Sequence, residues 1–152
     1  MNTHDEALSA TFCRVIEQLA FMFAEPAEKE AIPTPDGECV SVAMRFEGAL
    51  AGGLRLAVPA AMCGELAGNM LGMDPDDEQA IAKGLDALKE LLNVICGNIL
   101  TDIAGEEAVF SLSIPTSQAL TAAEWAAFQA EPATLGFQVD EHPALLQLAV
   151  KG

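Results

Sequence analysis

Asp86, Glu90, Asn93 and Gly97 recur at spacings of four, three and four in the middle of the chain. Side chains so spaced stack along one edge of a helix. Through the same stretch Leu85, Leu88, Leu92, Ile95 and Ile99 recur every three or four residues, which predicts a helix with one buried face. A helix this apolar has no packing need for an Asp, a Glu and an amide in one row. The row reads as an edge for docking and chemistry. Gly97 costs about 1 kcal/mol in a helix interior relative to Ala. Its missing side chain serves either close helix–sheet packing or the approach of another surface to Asn93.

Other chemistries have little to work with. Seven Lys and Arg stand against 23 Asp and Glu, a net charge of −16. That argues against binding nucleic acid or an anionic membrane, and against a phosphate pocket built from the chain's own cations. There is no Gly-rich phosphate loop, and His4 and His142 lie near the ends, away from any nucleophile pattern. Cys13, Cys39, Cys63 and Cys96 have no short paired spacing, so no zinc or redox motif is written and each reads as a small core residue. A polar small-molecule pocket is not marked either. The chemistry must come from carboxylates and amides, or from a partner.

The elements that position the row follow from periodicity. A first helix is expected over residues 5–24, with Leu8, Phe12, Val15, Ile16, Leu19 and Phe23 on one side and Pro26 as its stop. Residues 25–37 read as a loop. Two strands, 39–47 and 50–58, alternate well enough for a hairpin. Pro59 opens a shorter helix that ends at Gly72. Asp74 and Pro75 signal the start of the long helix, which should run to Ala104 over about 45 Å, with Gly105 as its stop. A strand over 107–114 closed by Pro115, a short helix or an irregular excursion over 121–129 around Trp125, and strands over 134–140 and 144–150 joined at His142-Pro143 complete the chain. The class is α+β: long antiparallel helices on a mostly antiparallel sheet, in one domain over 1–152. With no membrane-length apolar run and no basic leader, the protein is expected to be cytoplasmic.

In this order, the elements and the row resemble the CheX members of the CheC/CheX/FliY phosphatases of bacterial chemotaxis. That family carries Asp or Ser, three residues, Glu, two residues, Asn, and about 22 residues later a Pro. Asp86, Glu90 and Asn93 match the first three positions, and Pro115 follows one residue short of the usual distance. Cys96-Gly97-Asn98 resembles the small-Gly-Asn tail after the motif. The resemblance spans essentially the whole chain.

The resemblance implies a CheC/CheX-like fold and a phosphatase acting on the aspartyl phosphate of a CheY-type response regulator. Asn93 would orient the attacking water and Glu90 would pair with the receiver's Lys, with Asp86 and Gly97 on the partner-binding edge. It implies no cofactor of the chain's own, since the receiver brings the Mg²⁺, and a homodimer through edge strands. The family's second site would fall at Glu17-Gln18-Leu19-Ala20, where Ala20 replaces the amide, so one site is expected. Leu92, where relatives often carry a smaller residue, should face the core. Asn98, turned about 100° from Gly97, should bridge nearby polar groups. The alternative is a non-catalytic adaptor of the same fold that docks on a receiver.

Overall fold

Alternating residues of one sheet divide the protein into two unequal layers, and helices fill the larger one. The computed structural model describes residues 4–74 and 76–151. The order is α1 (Asp5–Ala20), β1 (Ala24–Ala27), a 3₁₀ turn (Lys29–Ala31), β2 (Cys39–Gly48), β3 (Ala51–Pro59), α2 (Ala60–Leu71) and α3 (Ala80–Ala104). Then come β4 (Phe110–Leu112), β5 (Thr116–Leu120), α4 (Ala122–Ala130), β6 (Thr134–Val139) and β7 (His142–Lys151). The strands form one sheet in the order β1-β6-β7-β3-β2-β4, with β5 also on β2, and the pairings between described residues are antiparallel. The predicted class, helices on an antiparallel sheet, is the class observed.

Val42, Met44 and Phe46 of β2 and Leu54, Leu56 and Val58 of β3 share one side of the sheet. They pack with Phe12 and Ile16 of α1, Leu66 of α2, and Leu88, Leu92, Ile95 and Ile99 of α3. On the opposite side Cys39, Ala57 and Leu145 pack with Trp125 and Phe128, so α4 covers one end of that face. Thr121 and Glu124 start α4 with a reciprocal capping box. The backbone and side-chain hydrogen bonds to Thr121 hold the Glu124 carboxyl below its ordinary range.

Several boundaries differ from expectation, each for a local reason. Helix α1 stops at Ala20, four residues early: Phe21 turns into the left-handed region (φ 55°), and Pro26 lies within edge strand β1. Phe21 and Phe23 are consequently exposed, and only Met22 between them is core. The start of α3 is Ala80, so it is 25 residues long and about 38 Å at 1.5 Å per residue. Asp74 and Asp77 accept instead from the Asp76 and Gln79 backbone N–H groups at 2.9 and 2.8 Å, forming Asx turns ahead of the helix. Pro75, expected as its first residue, lies outside the described residues. The last hairpin turns at Asp140-Glu141, with Asp140 at φ 50°, and His142 and Pro143 already belong to β7. The strand expected over 107–114 shortens to β4, and β5 beyond Pro115 is an additional strand.

The depth at which α3 sits is set where it crosses α2. A Cβ at Gly84 would run into the Cys63 backbone carbonyl. Gly84→Ala is therefore expected to cost about 1–3 kcal/mol, read as a lower urea midpoint with an unchanged slope. The same substitution at Gly64, which has open space around it, should not destabilise.

Candidate functional site

Helix α3 buries Leu88, Leu91, Leu92, Ile95, Cys96 and Ile99 completely, which fixes its rotation about its own axis. The rotation turns Asp86 and Glu90 fully outward and leaves Asn93 and Gly97 part-exposed on the same edge. At about 100° per residue these four positions fall within a sector of about 60°. The row drawn from spacing is thus one solvent-facing edge of a rigidly seated helix. Leu92 faces the core, as expected. Among the described residues the side chains of Asp86, Glu90 and Asn93 have no hydrogen bond or ion pair, so their polar atoms are available to an incoming group.

Gly97 decides between its two roles. Nothing lies within 4 Å of a Cβ built there, so neither the sheet nor another helix presses on it. The close helix packing of α3 belongs to Gly84. Gly97 leaves a notch one turn beyond Asn93, and its carbonyl accepts the Thr101 hydroxyl at 3.0 Å.

A polar brace that spacing alone did not reveal ties this end of α3 to α1. The Thr11 hydroxyl donates to Asp102 Oδ2 at 2.8 Å, and Arg14 reaches Asn98 Oδ1 at 3.3 Å and Asp102 at 4.0 Å. Asn98 in turn donates to the Val94 carbonyl at 2.8 Å. Thr11 is fully buried, so its bond to Asp102 is worth more than the exposed Arg14 contacts. The signal in the sequence was the i, i+4 pair Asn98 and Asp102 on an apolar helix. Asn98 bridges, as expected, and α1 is held against the flank of α3 beside the notch.

The position on α1 that would carry a second amide is closed. Ala20 is fully buried at the helix end, and its carbonyl accepts the Asn69 side-chain N–H at 2.8 Å. The four cysteines are free thiols, three of them buried. Burial pushes Cys63 and Cys96 up to about 11, which keeps them protonated and unreactive at neutral pH. Among the described residues no three His, Cys, Asp or Glu side chains gather as a metal site, and no helix is long and apolar enough to cross a membrane.

Comparisons with known proteins give the family and the fold. The family model for the chemotaxis phosphatase CheX matches residues 40–130, more than half of the chain. No curated protein matches at the sequence level. Among solved structures, a putative chemotaxis protein from Desulfovibrio vulgaris Hildenborough is 16% identical with a TM-score of 0.71, covering 99% of this chain and 97% of its own. CheX in the CheX–CheY–BeF3–Mg²⁺ complex from Borrelia burgdorferi is 17% identical with a TM-score of 0.68, covering 98% of each chain. FliY from Thermotoga maritima is 14% identical with a TM-score of 0.57, covering 97% of this chain and 90% of its own. At these identities the solved structures establish the fold.

With open space around Gly97, adding a methyl group should gain the usual helix propensity. Gly97→Ala is expected to stabilise the protein by about 0.5–1 kcal/mol, seen as a higher urea midpoint. A loss of stability would mean that the notch is filled by packing after all.

Proposed function

The chain belongs to the chemotaxis phosphatase CheX family, and from this premise we propose that it hydrolyses the aspartyl phosphate of a CheY-type response regulator. The observation that carries the reading is the exposed edge of α3, where the Glu90 carboxylate and the Asn93 carboxamide have no partner among the described residues. A solved relative in complex with CheY and Mg²⁺ supports the partner class and the source of the metal.

The chemistry asked of the chain is small. A receiver domain holds its phosphoryl group, a Mg²⁺ ion and a Lys, and what it lacks is an oriented water. Phosphoryl transfer depends mainly on positioning and charge stabilisation. The Asn93 side chain enters the receiver's pocket, and its amide oxygen accepts a hydrogen bond from the water in line with the phosphorus. As the water's oxygen bonds to phosphorus, the bond to the aspartyl oxygen breaks. The receiver's carboxylate leaves, inorganic phosphate forms and the water's proton passes to phosphate or solvent. An amide suits the task because it orients water without adding charge beside the phosphoryl group. Glu90 pairs with the receiver's Lys and sets the register, Asp86 extends the contact, and the Gly97 notch admits the receiver's loops. The chain itself needs no metal or cofactor.

The reading includes a homodimer through an edge strand. One sheet edge, β1, carries Pro26, which blunts pairing. The other, β4 and β5, is flanked by Val109 and Ile114 at 82% and 86% exposure, and four of the five β5 residues are exposed. It is the edge suited to β-augmentation. Sedimentation should give a dimer for the wild type and a monomer for Val109→Lys/Ile114→Lys.

The central test is the lifetime of a phosphorylated receiver from the same organism. Wild type should shorten it. Asn93→Ala should lose about 100-fold or more of that acceleration, and Glu90→Ala should raise the half-saturating receiver concentration by about tenfold. Gly97→Leu should fold normally and bind the receiver weakly. An unchanged lifetime with wild type, despite receiver binding, would leave the non-catalytic adaptor as the function.

A further inference from the structure

The sheet face turned away from α3 is covered by α4 at one end only. The remainder holds an open groove of about 470 Å³, within the size range of small-molecule sites. Its floor follows from strand register. Ala43 on β2 stands opposite Arg55 on β3, which stands opposite Gln147 on β7. Two residues along the sheet Arg45 faces Gly53, and Gly53 faces Ala149. Ala43, Gly53 and Ala149 therefore lay a floor carrying at most a methyl group. Arg45 and Arg55 rise from it as diagonal neighbours, about 7–8 Å apart at the backbone. A second depression continues past Arg45 to Lys151.

Three of the chain's seven basic residues thus share one face of a protein with net charge −16. The low cation count argued against an anion pocket, but antiparallel register gathers residues far apart in the chain. Arg55 is positioned in advance: its guanidinium lies 4.1 Å from the centroid of the Phe128 ring and 4.0 Å from the Glu131 carboxylate. Glu131 offsets part of that charge, and Glu47 lines the far depression with Lys151. Among the described residues the Arg45 guanidinium has no ion pair, which leaves it open to a ligand at the centre, with Glu47 two residues along on the same face. Beside it the Ser113 hydroxyl accepts the Arg45 backbone N–H at 2.8 Å and keeps its own hydrogen to donate. Thr116 and the exposed Ile114 complete the rim.

We propose that this groove binds a small phosphate monoester, the phosphate held by Arg45 and Arg55 and the organic body lying on the Ala43–Gly53–Ala149 floor. Guanidinium groups recognise phosphate oxygens in pairs, and the flanking hydroxyl suits a third oxygen. The apolar floor gives the ester an advantage over free phosphate. The site lies on the opposite sheet face from Asn93 and is independent of the chemistry there.

Phenyl phosphate is the probe, titrated into ¹⁵N-labelled full-length protein. Saturable shifts are expected at the amides of Ala43, Arg45, Gly53 and Arg55, with inorganic phosphate and benzoate each at least about tenfold weaker. Arg45→Gln should weaken phenyl phosphate about tenfold or more and leave the urea midpoint unchanged. The proposal is overturned if those amides do not move, if inorganic phosphate or benzoate binds as well, or if Arg45→Gln binds like wild type. Self-association that requires Arg45 and is not displaced by phenyl phosphate would also overturn it, assigning the face to a second copy.

Discussion

The structure depends on how completely α3 is buried along its apolar face. A helix seated on a sheet through six fully buried side chains has no freedom to roll, so every residue on its remaining edge points where the core dictates. The close crossing of Gly84 and Cys63 fixes its distance from α2, and the Thr11–Asp102 bond anchors its far end to α1. Glu90 and Asn93 owe their direction to this framework, although neither contributes to it. Their polar atoms remain in water, where leaving them without protein partners costs little, and they are presented before any partner arrives. The proposed site is prepared by apolar packing rather than by a network of its own.

Much of this was legible in the chain, and the exceptions share a cause. The 3.6-residue rhythm of α3 and the alternation of β2 and β3 come from segments with one face buried, so sequence period and structure coincide. The Asp86–Gly97 edge was legible for the same reason, as the gap in that rhythm. Strand β5 was not: of its five residues only Leu120 is buried, and an exposed edge strand leaves no alternation to read. Strand β1 hid behind Pro26, which fits an edge but resembles a loop. The sequence signals the start of α3 several residues early because Asp74 and Asp77 cap turns with the same side-chain bond that caps helices. The Arg45 and Arg55 pair lies on two strands and becomes a pair only through register.

The sheet gives its two sides separate work. On β2 and β3 the even-numbered residues from Val42 to Val58 hold the helices, while Ala43, Arg45, Gly53 and Arg55 look the other way. A one-residue slip in β2 would exchange its two sets, placing Arg45 in the core. The large apolar residues between them therefore hold Arg45 on the outer face as well as stabilising the inner one.

The position of β7 bears on how the molecule comes into being. It lies between β6 and β3 in the middle of the sheet, yet it is built from residues 142–151, downstream of every other element. Until those residues emerge from the ribosome, β3 offers an unpaired edge and the hairpin of β2 and β3 is half a sheet. Loop closure over such sequence separations slows folding, and an open edge in the meantime invites pairing with other chains. The sheet stays incomplete until β7 is made, and that strand is the one that closes it.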